Sequence, residues 1–508
     1  MTSANANTAA ALQRPELLLG PNPFISAVPP PIAFSKLPHE LKHAPLSKLP
    51  WRDLTPDLRE PLLEISSQHF ASTSALLEAA SGMQILFRRA LLMRNPLQVE
   101  ERKRMNQLGL ISGTPSLRAL TRLEGAGMLL TGMTGTGKTA LLRRMLELIA
   151  PEQVIDYGDS EACGWYQLRQ CVYLRVDHPS NGTRGALLKR ILEELDSVLG
   201  TSYFQDHKRT TNLDTLLVVV CKLLSLHRVA LVSIDEKQQS SFSDSPWRLD
   251  FVLFYLTLMN LGISVVLSGN PLAFDHLRSY SQVMRRFSTG GIHNLLPAPS
   301  SKEKWWQRDF VPQAREFSLV EQWDITPERR ELLEFEHSGG LPGLFAPFNV
   351  EVQRSALRRG GERATVTEKD FTAAARSPRY VEARAIALAL ADAGSSSSQF
   401  LDIPPNEAGD PVPKAGGTPT PRSVPTEHAV NVVKALLASY RRSETNRANT
   451  LVRRLESLKN LDPEDIRSLG LTQDLLAGFE RAVSTAPSKA KPRKRGVNGN
   501  AANEQPQN

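Results

Sequence analysis

Cysteine is scarce in this sequence. The chain has 508 residues but only three cysteines, Cys163, Cys171 and Cys221, and their spacing is not that of a metal site. A disulfide framework is therefore excluded, and a reducing compartment, the cytoplasm, is expected. The N-terminus also lacks a basic stretch followed by an apolar one, so no secretion signal is predicted.

Long hydrophobic runs are rare as well. The main exception, FVLFYLTLMNLGISVVL at residues 251–267, approaches the length of a membrane span. Asn260 and Gly262 interrupt this run, and β-branched residues dominate only its second half. We therefore predict a buried helix, a tight turn and a buried strand, and no membrane association.

Negative charge is in the minority. Lysine and arginine together number 61, against 53 aspartates and glutamates, which gives a net charge of +8. This balance favours an acidic partner such as nucleic acid, although a generic basic surface explains it equally well. The chain is also too long for a single hydrophobic core, so two or three folded units are expected.

Changes in composition divide the chain into segments. Three successive prolines at 29–31 favour an extended or docked conformation near the N-terminus. A Gly-, Ser- and Pro-rich stretch indicates a linker, and SKAKPRKRG indicates a basic tail. The predicted divisions are an extended docking segment (1–56), an N-terminal helical region (57–118), a nucleotide-binding α/β domain (119–300), a helical lid (301–393), a disordered linker (394–426), a small helical unit (427–484) and a basic disordered tail (485–508).

Short apolar runs alternate with helical patterns in the α/β part. Strong strand patterns cover residues 127–132, 171–176, 229–235 and 263–269, and weaker ones cover 154–158 and 292–297. Helical patterns cover residues 138–149, 184–199, 212–226, 249–261 and 271–278. This alternation predicts a parallel sheet that is covered by helices on both faces.

The sequence GMTGTGKT follows the first strong strand pattern and fits G-x-x-x-x-G-K-[ST]. Such a loop lets backbone N–H groups surround phosphate oxygens at the start of the next helix. Lys138 is expected to reach the β- and γ-phosphates of ATP, and the Thr139 hydroxyl to ligate Mg²⁺. The predicted phosphate-binding residues are Gly132, Met133, Thr134, Gly135, Thr136, Gly137, Lys138, Thr139 and Ala140.

Two later strand patterns end in polar residues. Asp235 and Glu236 end the third strong pattern, and an acidic residue at that end of a parallel strand points into the ligand crevice. We expect Asp235 to bind Mg²⁺ with the nucleotide and Glu236 to polarise the attacking water. Asn270 follows the fourth pattern, where a polar side chain can contact the γ-phosphate or that water.

A basic cluster comes next in LRSYSQVMRRF. Its arginines are Arg278, Arg285 and Arg286. We expect one of them to act on the nucleotide of a neighbouring subunit, because added positive charge stabilises phosphoryl transfer. A solvated or DNA-facing basic surface is the alternative.

With these residues in place, the chain resembles TnsC, the AAA+ ATP-dependent regulator of heteromeric DNA transposons, and more distantly TniB and IstB-type proteins. The order of phosphate loop, acidic strand and polar strand matches the AAA+ sensor-1 layout. The segments NPFISAVPP, VYLRVDHPSNGTRGALLKRILEELDSVLGTSYF and LDFVLFYLTLMNLGISVVLSGNP are also TnsC-like. The resemblance covers about residues 20–390 and implies a P-loop AAA+ fold: a three-layer parallel sheet with a helical lid, an N-terminal helical region and a small C-terminal helical extension.

The resemblance also implies a function. The protein would hydrolyse ATP, form a ring or helical filament around duplex DNA, and link a target-selector protein to transposase subunits. Hydrolysis would control disassembly and insertion targeting. NPFISAVPP and the unit near residues 440–479 would be docking surfaces for these partners.

The turn SNGTRG offers the best candidates for contact with DNA. It opens a helix, so N–H groups and basic side chains could meet a phosphate there, without strong choice of sequence and with marked salt dependence. The basic tail is a second candidate. The predicted DNA-binding residues are Asn181, Thr183, Arg184, Lys189 and Arg190.

Two positions depart from the TnsC pattern. Lys237 follows the acidic pair where TnsC-type proteins have an apolar residue, and Asn270 stands where threonine is common. Lys237 places a cation beside the catalytic carboxylate, so slow hydrolysis is one expectation. Two other functions therefore stay open: an IstB-like or helicase-loader-like DNA-remodelling ATPase, and a weakly hydrolysing, nucleotide-gated scaffold.

Overall fold

Five parallel strands form the central sheet. The computed structural model describes residues 13–111, 117, 123–179, 183–237, 248–271, 274, 277, 281–360, 364–391, 424–425 and 460–461. The strands of the first compact unit, Met1–Glu407, are β1 (Gly127–Gly132), β2 (Val154–Tyr157), β3 (Leu168–Cys171), β4 (Tyr173–Asp177), β5 (Leu231–Lys237), β6 (Ser264–Gly269), β7 (Ile292–Leu295), β8 (Gln322–Asp324) and β9 (Thr365–Thr367). The central sheet has the order β4-β5-β6-β1-β7, so β1 lies between two strands that follow it in the chain.

Helices surround this sheet and build the rest of the unit. The α-helices are α1 (Pro23–Ala27), α2 (Leu37–Leu41), α3 (Pro56–Arg59), α4 (Ser74–Met93), α5 (Val99–Gly109), α6 (Lys138–Ile149), α7 (Arg184–Leu199), α8 (Tyr203–His207), α9 (Leu213–Leu226), α10 (Arg248–Asn260), α11 (Ser281–Phe287), α12 (Val311–Arg315), α13 (Pro327–Ser338), α14 (Pro342–Arg359), α15 (Glu368–Ala375) and α16 (Val381–Ala391). Short 3₁₀-helices cover Pro15–Leu19, Phe34–Lys36, Pro45–Lys48, Trp51–Asp53, Glu60–Gln68 and Glu161–Cys163, and a π-helix covers Trp305–Phe310.

Both faces of the sheet are buried because side chains alternate along each strand. In β1, Leu129 packs into the apolar core on the side of α7, α9 and α10. Its neighbours Met128 and Leu130 pack into the core on the other side, with α4 and α6. The predicted α/β fold, a parallel sheet between two helical layers, is confirmed.

The run at 251–267 folds as predicted. It contains the end of α10, a turn at Gly262 and the buried strand β6. Gly262 has a φ angle of +78°, which allows the chain to reverse between helix and strand. In the part of the chain that the structure describes, no helix combines the length and apolar character that crossing a membrane requires.

The weak strand pattern at 154–158 does not join the central sheet. It forms β2, which pairs with β3 in an antiparallel hairpin. The pattern predicted as one strand at 171–176 corresponds to β4, and only its first residue, Cys171, belongs to β3, which was not predicted. Alternation of apolar residues predicted extended structure correctly but contained no information about the pairing partner.

The N-terminal segment is not extended. Between residues 13 and 68 it consists of short helices separated by prolines and bends. Phe24 and Ile25 of the NPF sequence are 1% and 0% exposed and belong to the core that α4 and α6 share with β1. Phe24 also stacks on Trp165 of the hairpin, with ring centroids 5.9 Å apart. These side chains cannot form a surface for a partner protein, which corrects that expectation for NPFISAVPP.

The same segment continues into the lid. Leu46, Trp51 and Leu63 are buried in a third core together with α14 and α15. Arg354 of α14 donates hydrogen bonds to Glu60 and contributes to this attachment. Residues 22–63 therefore pack first on the sheet domain and then on the lid.

The lid is helical, as predicted, with one addition. Helices α13 to α16 surround a short parallel pair, β8 and β9. The second compact unit, Ala408–Asn508, is described only at Val424–Pro425 and Asn460–Leu461, which pair antiparallel. The predicted linker, small helical unit and basic tail otherwise lie outside the described residues.

Candidate functional site

The loop between β1 and α6 is shaped by its glycines. Gly135 and Gly137 have φ angles of +88° and +92°, a conformation that favours glycine. Gly137 is the N-cap, so α6 begins at Lys138. The N–H of Leu141 bonds back to the Gly137 carbonyl at 2.9 Å. The N–H groups of the preceding turn lie at the positive end of the helix, where an anion binds.

The ammonium group of Lys138 lies over this loop. Its Nζ donates hydrogen bonds to the carbonyl oxygens of Gly132 and Met133, each at 2.7 Å. The Thr136 hydroxyl also donates to the Met133 carbonyl, at 2.8 Å, and is itself buried. A positive side chain and a helix N-terminus thus meet at one point, which suits a polyphosphate.

Polar residues end the strands next to this loop. Asp235 in β5 is in register with Asp177 of β4, and Asn270 directly follows β6. Because β6 lies between β5 and β1, the carboxyl ends of the three strands meet at one edge of the sheet. The sheet order therefore brings Asp235, Asn270 and the phosphate loop together, as the sequence predicts.

The oxygen groups at this edge fit Mg²⁺. Asp235 is 1% exposed, and its backbone carbonyl accepts a hydrogen bond from the N–H of His178 at 2.9 Å. Thr139 lies in the first turn of α6 and is half-buried. A carboxylate and a hydroxyl, completed by phosphate oxygens, form the set of ligands that Mg²⁺ takes in nucleotide sites.

Several predicted site residues lie outside the described part of the chain. Arg278 and Asn181 are among them, as is the side chain of Glu236, whose backbone belongs to β5. The register between β5 and β6 shifts between Ile234 and Lys237. The roles given to Glu236 and Lys237 stay predictions.

Arg285 and Arg286 lie at the opposite edge of the sheet. They belong to α11, whose next turn bonds to the start of β1 through Gly290 N–H and the Gly127 carbonyl at 3.0 Å. At about 3.3 Å per residue, β1 separates that point from the phosphate loop by roughly 16 Å. Helix α11 therefore lies near the end of β1 that is remote from the phosphate loop of its own subunit.

The two arginines differ in their surroundings. Arg286 is half-buried and donates a hydrogen bond to the Asn260 side chain at the end of α10. Burial and the neighbouring charge of Arg285 lower the pKa of Arg286. Arg285 is exposed. Of the two, Arg285 is better placed to reach another molecule.

The described residues of the predicted DNA contact are engaged within the chain. The Thr183 hydroxyl caps α7 by accepting from Ala186 N–H. Arg184 pairs with Asp214 at 3.8 Å, and its side chain is 14% exposed. Lys189 donates to the backbone carbonyl of Lys208 at 2.9 Å, and Arg190 pairs with two glutamates one turn away on α7. Contact with DNA would require these pairs to be exchanged for phosphates.

A cavity of about 250 Å³ adjoins the phosphate loop. The loop residues Gly135, Thr136 and Gly137 form one wall. Most of the other lining side chains are apolar, including Phe70, Leu76, Phe310, Phe317 and Phe345. The cavity lies between the sheet domain, the lid and the returning N-terminal segment, so it suits the apolar part of a ligand whose charged part lies on the loop.

The polar side chains of this cavity that sequence analysis missed include His69 and Asn349, beside Ser66 and Ser67. His69 comes from the N-terminal segment, and its Nε2 donates to the Gln313 carbonyl at 2.9 Å. Burial lowers the pKa of His69, against the opposing effects of that hydrogen bond and of Glu316, so the ring is held neutral. No local pattern marks either residue, because the cavity joins distant parts of the chain.

The lid touches the phosphate loop directly. The N–H of Gly343, at the start of α14, donates to the Gly135 carbonyl at 2.7 Å. A Cβ atom on Gly343 would lie 2.4 Å from the Gly135 Cα, so the approach requires glycine. The sequence carries a usable signal here, since two glycines followed by Pro342 mark a turn and a helix start.

Comparison with known proteins agrees with this architecture. Residues 122–277 match the family model of the AAA domain. No curated protein sequence matches the chain. Among solved structures, the Aeropyrum pernix ORC1 protein in complex with DNA is 16% identical, with coverage of 77% of this chain and 96% of that chain and a TM-score of 0.35. Cdc6p from Pyrobaculum aerophilum is 13% identical, with coverage of 76% and 94% and a TM-score of 0.35. The Aeropyrum pernix ORC2 protein is 14% identical, with coverage of 76% and 94% and a TM-score of 0.34.

The chain therefore has the P-loop AAA+ fold. The sheet order, the glycine loop that opens α6 and the match over residues 122–277 establish it. The overall similarity to the solved structures is low, so nothing about partners is taken from it.

Proposed function

We propose that this protein is a Mg²⁺-dependent AAA+ ATPase that assembles on duplex DNA and regulates DNA transposition. The observation that carries the enzymatic part is the meeting of the phosphate loop, Asp235 and Asn270 at one edge of the sheet. This arrangement supplies a phosphate cradle, a metal ligand and a polar group near the terminal phosphate.

Each residue at this edge has a distinct part in hydrolysis. Lys138 binds the β- and γ-phosphates, and Asn270 orients the attacking water or the γ-phosphate. The Glu236 carboxylate accepts the proton of that water. Thr139 and Asp235 hold Mg²⁺, which supplies charge neutralisation on the phosphates. Glu236→Gln is expected to keep ATP binding and to reduce the hydrolysis rate at least about 100-fold. Unchanged hydrolysis in this variant would remove Glu236 from the mechanism.

Hydrolysis is expected to require a second subunit. The turn that follows α11 bonds to the start of β1, roughly 16 Å from the phosphate loop of the same chain along β1 at about 3.3 Å per residue. A subunit packed against α11 would receive an arginine at its nucleotide, which stabilises the charge of the transition state.

Mixing two inactive variants tests this arrangement. Lys138→Ala lacks a working phosphate loop, and the double variant Arg285→Ala/Arg286→Ala lacks the donated charge. Each alone is expected to be inactive. A mixture should recover part of the hydrolysis rate, because the first variant donates arginines to the intact loop of the second. A mixture as inactive as its components would exclude action between subunits by these arginines.

The DNA-related part of the proposal rests on charge and resemblance. The chain carries a net charge of +8, and residues 127–286 contain the segments most similar to TnsC. Electron microscopy of the protein with ATP and duplex DNA should show rings or helical filaments around the DNA. Absence of any DNA-bound oligomer would refute this part and leave the ATPase proposal standing.

Arg184 and Lys189 are proposed to contact the DNA backbone together with Asn181, Thr183 and Arg190. Alanine at Arg184 and Lys189 should leave ATP binding unchanged and abolish DNA-stimulated assembly. Affinity in the wild type should fall steeply with salt, since phosphate contacts release counterions. DNA binding unchanged by the double substitution would mean that another surface is used.

Contact with a target-selector protein and with transposase subunits remains part of the proposal. Because Phe24, Ile25 and Val28 of NPFISAVPP are buried, the expected docking surface is the C-terminal unit near residues 440–479. Deletion of residues 408–508 should abolish binding of the purified transposase subunits but leave ATP hydrolysis intact. Transposase binding retained after this deletion would exclude the C-terminal unit.

Lys237 supports the alternative function, a weakly hydrolysing, nucleotide-gated scaffold, because it directly follows Asp235 and Glu236 in β5. Hydrolysis measured with and without duplex DNA separates the alternatives. A DNA-stimulated rate favours the regulator, and a very low rate in both conditions favours the scaffold. In the latter case, Lys237→Leu should raise the rate if the cation is the cause.

A further inference from the structure

The cavity of about 250 Å³ beside the phosphate loop has a defined position relative to a bound nucleotide. Its wall includes Gly135, Thr136, Gly137 and Ala140, the residues that begin α6 or lead into it. A nucleotide with its phosphates on this loop therefore has its base next to the cavity. A second cavity at Thr136 has a volume of about 90 Å³, much less room for a base.

Few of the side chains that line the cavity can distinguish one nucleotide base from another. Aromatic and aliphatic side chains can cover the faces of a purine but do not distinguish one base from another. Distinction requires a hydrogen-bonding group with a fixed direction. Asn349 on α14 provides such a group, and only 8% of this residue is exposed.

The orientation of the Asn349 amide is determined by its neighbour. Its Nδ2 donates to the Phe345 carbonyl one turn earlier, at 3.2 Å. A carbonyl oxygen only accepts, so the reverse amide orientation would place two oxygens together. The remaining group is Oδ1, an acceptor, and no donor among the described residues reaches it. The amide thus presents an acceptor to its surroundings in the cavity.

His69 also lines the cavity, but its ring nitrogens are not available to a base. Its Nε2 donates to the Gln313 carbonyl, and its Nδ1 is closed off from solvent. The amide oxygen of Asn349 therefore remains the directed acceptor of the cavity, beside the hydroxyls of Ser66 and Ser67.

We infer that Asn349 selects adenine by accepting a hydrogen bond from its exocyclic amine. The inference rests on the proposed nucleotide function and adds the identity of the base. Adenine presents two N–H groups at its 6-position. Hypoxanthine and guanine present an oxygen there, which would face Oδ1 and leave it buried without a partner.

ADP and IDP provide a closely related pair of ligands, because they differ only at the 6-position of the base and in the hydrogen that hypoxanthine carries on N1. Binding of each to the full-length protein can be measured by titration calorimetry. The wild type is expected to bind ADP roughly 10- to 100-fold more tightly than IDP, the ratio that one buried unpaired acceptor produces.

Two substitutions test whether Asn349 causes the preference for ADP over IDP. Asn349→Leu keeps the branched shape of the side chain at a larger volume and removes both hydrogen-bonding groups. Asn349→Ser can still bond to the Phe345 carbonyl, yet its oxygen is too short to replace Oδ1. Both should weaken ADP binding and leave IDP binding unchanged or slightly stronger, so that the ratio approaches one. Gln107→Leu, an amide replaced on the exposed face of α5, is the control and should keep the wild-type ratio.

The outcomes separate this inference from the proposed function. A wild type that binds neither nucleotide refutes nucleotide binding itself. A wild type that binds ADP and IDP equally refutes the base assignment and leaves nucleotide binding intact. If the wild type prefers ADP but both Asn349 variants retain the full preference, Asn349 is not the selecting residue.

Discussion

The contact between the lid and the phosphate loop leads to a prediction in which two known effects oppose each other. Gly343 is the second residue of α14, and alanine there should stabilise an isolated helix by up to about 1 kcal/mol. In the folded protein, however, the new Cβ would lie 2.4 Å from the Gly135 Cα and 2.7 Å from the Gly135 oxygen.

The steric effect is the larger one. Non-bonded carbon atoms settle at about 3.5–4.0 Å, so the start of α14 must move by about 1 Å or more away from the loop. Such overpacking costs about 1–3 kcal/mol, and neither partner is the flexible end of a long side chain. Because the lid and the sheet domain have separate cores, the movement opens the cavity between them without unfolding either.

Gly343→Ala is therefore expected to weaken ADP binding by about 5- to 30-fold, equivalent to about 1–2 kcal/mol. Titration calorimetry measures the affinity, and thermal unfolding checks that the protein stays folded. Gly109→Ala is the matched control, because nothing lies within 4 Å of its Cβ position and it also belongs to a helix. Wild-type affinity together with a raised melting temperature in Gly343→Ala would mean that helix propensity outweighs the contact, contrary to this reasoning.

Three further predictions concern the N-terminal segment and the lid. Phe24→Ala should destabilise the protein by about 3 kcal/mol, since the ring is 1% exposed, whereas Leu19→Ala, at an 81% exposed position, should leave the melting temperature unchanged. Arg354→Ala should lower the free energy of unfolding, measured by urea denaturation, by about 3 kcal/mol, because Glu351, which is 8% exposed, loses its buried partner. Stability equal to that of the wild type would show that Arg379 replaces Arg354 as the partner of Glu351. Burial keeps the pKa of His69 below 6.5. The neutral ring should therefore contribute its full stability above pH 6.5 and progressively less as the pH falls. The decline in melting temperature between pH 7.5 and 5.5 should accordingly be smaller in His69→Gln than in the wild type.

Helix limits were predictable wherever local chemistry sets them. The patterns at 138–149 and 184–199 coincide with α6 and α7. Helix α6 begins after its N-cap, Gly137. Helix α7 begins after the Thr183 cap and ends before Gly200, which has a φ angle of +69°. These signals act over one turn of helix and are therefore visible in the sequence.

Pairing and burial over long distances were not predictable in the same way. The run that forms β2 has only a weak strand pattern and β3 was not predicted, so only the fold shows that the two pair with each other. Phe24 lies in a proline-rich stretch that looks exposed, yet its partners include Trp165. Asn349 and His69 share a cavity because the lid and the N-terminal segment meet there, and no spacing in the sequence encodes that meeting.

The position of the N-terminal segment has a consequence for synthesis of the protein. Phe24 and Trp51 are synthesised early, but the buried clusters to which they belong also contain Leu295 and Tyr380, which are synthesised much later. Closing such long loops comes after the local helices and strands have formed. We therefore expect the N-terminal segment to pack after the sheet domain and the lid have formed, and until then the apolar surfaces it covers would be open to chaperones or to premature association.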